Sequence, residues 1–300
     1  MQRRTFLAAM VSAPTLAALL AACGDDSVVS PATAPDGTSP GTSTTMAVSS
    51  GIPYPTGADD VVLRYGYEGG FVAAGTIFIS VPTLMVTGDG RVIEPGATTA
   101  IYPGALLPSM FERSIDQAGI EALLSAAQKA GMLASPPDYQ LPDGIGIADA
   151  PDTVLTINAN NAQYLHRAYA LGMADDPSST PARVALSDFL GTLGNLTDVV
   201  GAEHLGEPAP LVAKQYRFQA MVVDPATYTE PVPTVVPWPA GTGVELKKVT
   251  AELGTCATVD AAAVGDLFSS ANQLTFFEEA GVAYQLSVVA VLPGDAACTL

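Results

Sequence analysis

Two histidines, three cysteines and several paired carboxylates are the residues of this 300-residue chain whose types invite chemistry. A general base must stand within hydrogen-bond reach of the proton it takes, and neither His166 nor His204 lies in a motif that supplies such a partner. The chain holds no Gly-x-Ser-x-Gly elbow, no His-Glu-x-x-His, no Gly-x-x-x-x-Gly-Lys-Ser/Thr and no Cys-x-x-Cys. His166 falls within a predicted strand, where a partly buried, hydrogen-bonded role is expected. His204 is expected to face solvent. The pairs Asp59-Asp60, Asp175-Asp176 and Glu278-Glu279 are adjacent residues in polar stretches, whereas acid/base catalysis needs two carboxylates facing one pocket in different environments. Asp138, Asp143, Asp149 and Asp152 crowd one loop, but their spacing fits no EF-hand and lacks a closing bidentate Glu. The chain therefore reads as a non-enzyme, with no cofactor and no metal site expected.

The cysteines are more informative. Arg3 and Arg4 precede a nearly continuous apolar run from Thr5 that ends in Leu20-Ala21-Ala22-Cys23. This is how a bacterial lipobox reads: small residues suit a signal peptidase, and the next cysteine takes lipid on its sulfur. Arg3-Arg4-Thr5-Phe6-Leu7 also resembles a twin-arginine export signal, with Ala8 in place of the usual basic residue. The competing reading is a retained membrane helix, but a run of about 18 residues is at the lower limit for spanning, and Pro14 interrupts it. Cleavage before Cys23 is therefore expected, placing the protein on the extracytoplasmic face of the cell membrane through its acyl chains. An exported chain meets conditions in which disulfides persist, so Cys256 and Cys298 are expected to pair. Two buried free thiols are the alternative.

The whole sequence carries 12 basic and 30 acidic residues, a net charge of -18. Loss of residues 1–22 removes Arg3 and Arg4 and no acid, which leaves 10 basic residues and a net charge of -20. Such a surface offers no basic stripe for a phosphate backbone, so nucleic acid is excluded as a partner. With 48% hydrophobic and 14% charged residues, the chain has material for a core.

The elements expected to position these residues follow from patterning. Residues 1–22 form the signal peptide. Residues 23–58, rich in Ser, Thr, Pro and Gly, form a lipidated flexible tether that reaches about 30–35 Å. Residues 59–200 are expected to make an α+β domain and 201–300 a smaller α+β subdomain, with antiparallel sheets and hairpins packed against a few amphipathic helices. Val61–Tyr67 and 71–81 read as strands, and Gly88-Asp89-Gly90 reads as a hairpin turn. Asp116 caps a helix carrying Ile120, Leu123, Leu124 and Ala127, with Gly131 as its stop. Asn160-Asn161 turns a second hairpin, and Thr180-Pro181 opens a second helix. Beyond a soft boundary near residue 201, strands are expected at 214–223, 244–253 and 282–292, with a helix at 260–271. The stretch from Asp116 can be laid on that from Asp260 without gaps, an internal echo that would mark a repeat.

Arg64-Tyr65-Gly66-Tyr67-Glu68-Gly69-Gly70-Phe71, the capped helix, Pro136-Pro137-Asp138-Tyr139 and Val154-Leu155-Thr156-Ile157 together resemble the emfourin family of inhibitors of thermolysin-like metallopeptidases. The likeness covers about half of the chain after Cys23; residues 72–115 are longer and residues 201–300 lie outside it. It implies that Gly69, Gly70 and Phe71 contact a peptidase. More broadly, Val86-Thr87-Gly88-Asp89-Gly90-Arg91-Val92 resembles a hairpin found in uncharacterised bacterial lipoproteins, which implies an address rather than an activity. The expected function is a non-catalytic, lipid-anchored module that binds a protein or cell-wall component. Inhibition of a secreted metallopeptidase is the alternative, and an unrecognised hydrolase using His166 comes after it.

Overall fold

Apolar residues alternating along Val61–Gly69 (β1) start the first of two sheets. The computed structural model describes residues 51–73, 75–141, 146–173 and 180–298, which belong to one compact unit. The signal peptide, Cys23, Asp143 and the Asp175-Asp176 pair lie outside the described residues. The fold is α+β. Its first sheet contains β1, β2 (Leu84–Thr87), β3 (Arg91–Pro95), β4 (Met110–Ser114), β5 (Pro151–Ala159), β6 (Ala162–Tyr169) and β7 (Ala209–Pro210). They run in the order β6-β5-β1-β2-β3-β4-β7, antiparallel throughout.

One face of this sheet is closed by α1 (Gln117–Lys129), α2 (Pro181–Leu193) and the short α3 (Leu196–Val200). Asp116 caps α1 by accepting a hydrogen bond from Gly119 N at 2.9 Å. Its buried stripe of Ile120, Leu123, Leu124 and Ala127 meets Leu63, Leu155 and Ile157 of the sheet. Each such side chain contributes about 1.5–3 kcal/mol when fully buried. The chain enters this core earlier than its composition suggests. Ile52 and Tyr54 pack on it and Pro53 O accepts from Asn160 N at 2.7 Å, so the end of the expected tether is part of the folded unit.

The second sheet holds β8 (Gln215–Val223), β9 (Thr234–Pro237), β10 (Ala257–Asp260), β11 (Thr275–Glu279) and β12 (Val282–Ala290), ordered β10-β8-β12-β11-β9. Only the β9–β11 pair is parallel. Trp238, Phe218, Phe268 and Phe277 build its core. A smaller cluster joins the sheets, with Met85, Ile93 and Met110 of the first meeting Ala290 at the end of β12 and Leu292 just beyond it.

Three expected elements are corrected. The expected strand at 71–81 is not found among its described residues; residues 75–79 form turns instead, with Ile79 N bonded to Gly75 O and Ser80 N to Ile77 O. Residues 244–253 hold 3-10 turns at Leu246–Lys248 and Ala251–Leu253, with Leu246 and Val249 buried three residues apart; the segment meets β8 at an isolated Ala220–Thr250 bridge, where Ala220 N donates to Val249 O at 2.9 Å. The helix after Asp260 is only Ala261–Val264 (α4): Gly265 adopts φ 51° and ψ -131°, and Asp260 makes no side-chain cap. The echo of the Asp116 segment therefore has no counterpart in structure, where a helix of 13 residues faces one of 4.

Candidate functional site

The last residues of β1 create the site. β2 pairs with β1 only as far as Tyr65↔Leu84, whereas β5 follows it to Gly69↔Pro151. Beyond Tyr65 the strand therefore has a partner on one side alone, and the turns of residues 71–81 fill part of the other. Gly69 and Gly70 both take positive φ, which swings the chain out of the sheet, and Phe71 N donates to Asp149 O at 3.1 Å. Further along, Gly75 lies so close to β12 that a Cβ there would stand 2.3 Å from Ser287 Oγ. Only glycine permits that approach at φ +80°. The result is an open groove of about 600 Å3 between the 71–81 segment and the sheet face opposite the helices.

Apolar groups dominate its walls: Val72, Ile77, Val81, Pro82 and Val154. Phe71, next to Val72 in the chain, is 85% exposed and fills no part of the core. Two guanidinium groups line the interior. Arg64 comes from β1 and Arg217 from β8, and both reach toward Asp295, whose side chain is only 4% exposed. Arg64 Nη1 donates to Asp295 Oδ1 at 2.9 Å, while Arg217 Nε stays 3.9 Å from Oδ2. Arg217 also lies over the Phe78 ring, 5.2 Å from its centroid, which holds the turns against the second sheet. Nearby, Arg167 bridges Glu68 and Asp152 on the sheet surface. At the end of β1 the Tyr65 and Tyr67 hydroxyls share a 2.9 Å hydrogen bond, and burial, followed by that bond, pushes the Tyr65 phenol well above its ordinary value. Thr76 also borders a second cleft of about 720 Å3, whose lining contains no charged side chain.

The other candidates fall elsewhere. His166 is fully buried, with Nδ1 2.7 Å from Tyr139 Oη and Nε2 2.9 Å from Met132 O. A carbonyl only accepts, so Nε2 carries the proton and Nδ1 accepts from the tyrosine. Burial pushes this imidazole below its ordinary value, and the bond to Met132 O partly opposes the shift. His204 is only part-exposed, and its Nδ1 lies 3.0 Å from Asp116 Oδ2 at the start of α1. That carboxylate raises the His204 pKa, and His204 in turn lowers that of Asp116. Neither imidazole lines the groove. Asp60 accepts from Gly57 N, Asp138 from Gln140 N and Glu279 from Leu246 N, each tying down its own turn or a neighbour. Among the described residues, no group of three or more His, Cys, Asp or Glu side chains could hold a metal ion. The structure brings Cys256 and Cys298 together, with Cα atoms 5.0 Å apart and their sulfurs bonded.

Of Gly69, Gly70 and Phe71, singled out by the sequence, Gly69 lines the groove, and Gly70 and Phe71 connect it in the chain to the lining residue Val72. Arg64, Arg217 and Asp295 had no sequence signal: the Arg64–Asp295 pair joins residues 231 positions apart. No match to the chain was found among protein-family models, curated proteins or solved structures.

Proposed function

We propose that this chain is an exported, lipid-anchored surface protein acting as a non-catalytic binding module, with the groove beside Phe71 as its binding site. The observation that carries this reading is the exposed apolar run of Phe71, 85% exposed, and Val72, which with the exposed Ile77 lines an open groove. Apolar surface left in water forgoes about 25 cal/mol per Å2, and a grouped patch of this kind suits a partner that covers it. Both imidazoles are engaged in structural hydrogen bonds away from the groove, which favours binding over catalysis. The Leu20-Ala21-Ala22-Cys23 motif supports delivery to the outer face of the membrane, where a protein or wall component is the expected partner.

Anchoring is tested by replacing Cys23 with Ala and fractionating cells. The variant is expected to lose its acyl chains, and unchanged, lipid-modified protein in the membrane fraction would refute the anchor. Binding is tested with a photo-crosslinking residue at position 71 on intact cells, compared with one at Val232, another highly exposed apolar residue. Discrete adducts from position 71 alone are expected, and identical patterns from both positions would argue against the site.

A narrower version makes the partner a secreted metallopeptidase. It is favoured by the way Gly69 and Gly70 present Phe71 on a turn clear of the core. The full chain is then expected to slow thermolysin, and Phe71→Ala to relieve that inhibition without lowering stability. No slowing at micromolar protein removes this version and leaves the module intact.

A further inference from the structure

We infer that the groove takes an aliphatic monocarboxylate, a hydrocarbon tail ending in a single negative charge, with Arg64 and Arg217 receiving the carboxylate. The inference rests on the groove being the binding site and names its ligand. Two guanidinium groups and one carboxylate, Glu68, line the groove; Glu68 is paired with Arg167, and among the described residues Asp295 is the only carboxylate within ion-pair distance of either groove guanidinium. One positive charge is therefore left unmatched in a place where both side chains are largely screened from water. A partly buried charge without a counterion is unfavourable, and an incoming anion removes the deficit.

Arg217 carries that deficit. Its Nε is buried with no hydrogen-bond partner, and its Nη2 reaches Phe78 O only at 3.5 Å. Arg64 has given Nη1 to Asp295. A planar fork with unfilled donors is the geometry that receives a carboxylate. Val72, Ile77, Val81 and Val154 supply aliphatic walls for the tail, and about 600 Å3 lies within the range of small-molecule sites.

The whole-chain charge narrows the ligand further. At -18 the protein repels polyanions, and only within a screening length of about 8 Å does the local arginine field dominate. A single carboxylate passes this filter, whereas a phosphate polymer or an anionic membrane surface does not. Glu68 in the groove lining and Asp152 nearby, both held by Arg167, add negative charge and reinforce the limit of one.

The test uses the full-length protein in lipid nanodiscs, with empty discs subtracted, and two probes of equal tail length, decanoate and decanol. Decanoate is expected to saturate one site, and Arg217→Gln to weaken it by about tenfold or more, the value of a charge-assisted hydrogen bond. Decanol is expected to be indifferent to that substitution. Ile77→Glu changes an exposed residue of the turns, so the fold survives if Arg217→Gln does not, and its added carboxylate is expected to abolish saturation. Equal decanoate binding by wild type and Ile77→Glu, or no saturable binding by wild type, overturns the inference. Capture of an apolar peptide C-terminus without decanoate overturns it too, but leaves the binding-module reading standing.

Discussion

His166 shows how one side chain can serve the fold and leave a signature that is measurable. It is neutral in the folded protein, donating from Nε2 to Met132 O and accepting from Tyr139 at Nδ1. Its folded pKa lies below the ordinary value, while the unfolded residue titrates near about 6.5. Between those values the unfolded chain binds a proton that the folded one does not, so His166 lowers stability as pH falls through about 6.5. His204 acts with the opposite sign. Asp116 raises its folded pKa, so that pair contributes below about pH 6.5 and is lost as pH rises through the raised value. Its surface position keeps the contribution small. In urea titrations from pH 7.5 to 5.5, His166→Gln is therefore expected to flatten the loss of stability, and His204→Ala to steepen it. At pH 7.5, His166→Gln should also cost about 1–3 kcal/mol, because a glutamine cannot satisfy both buried partners in the same geometry. Identical pH slopes for wild type and His166→Gln would contradict the buried neutral imidazole.

At the scale of elements, the chain after β12 has the clearest consequence. It leaves the second sheet at Ala290, lodges Asp295 between Arg64 and Arg217, and ends its described course at Cys298 bonded to Cys256, just before β10. The bond thus pins the segment whose Asp295 pairs with the groove's two arginines. For a separation of 42 residues, the loop-entropy model assigns about 4 kcal/mol to such a bond. Cys256→Ser with Cys298→Ser is expected to lower unfolding stability by about that amount, and reduction of the wild type should do the same. A variant as stable as wild type would mean the pair adds nothing. Elements with local determinants were legible in the sequence: the capped stripes of α1 and α2, and the turns at Gly88–Gly90 and Asn160-Asn161. Those decided by distant contacts were not. The apolar residues of 71–81 look like a strand, yet the segment borders a groove and leans on Ser287 and Arg217. Leu246 and Val249 look like strand residues too, but they are buried at a three-residue spacing around a 3-10 turn, and the segment meets β8 only through an isolated bridge at Ala220. The groove was half legible for the same reason, since its glycines and Phe71 are contiguous while its charges come from three separate parts of the chain.

For the whole molecule, the open issue is whether the two sheets unfold as one. Composition shifts near residue 201, and each sheet has a core of its own. Several features cross that point, among them the following. The Ala209–Pro210 strand pairs with β4 and so completes the first sheet, Arg64 reaches Asp295, and the Met85 cluster draws on both sheets. Met85 is fully buried in that shared cluster, and truncating a methionine in such a position costs about 2–5 kcal/mol. A shared core of this size makes separate unfolding unfavourable, so a single transition is expected. The protein supplies its own probes. Trp238 is the only tryptophan and packs against Phe218 and Phe268 in the core of the second sheet, while the amides of α1 report on the first. Urea is expected to quench the folded Trp238 signal and expose the α1 amides to exchange at the same concentration. Met85→Ala should then move both midpoints down together. Two separated transitions, with Met85→Ala shifting the α1 amides alone, would instead divide the chain into independent domains at residue 201.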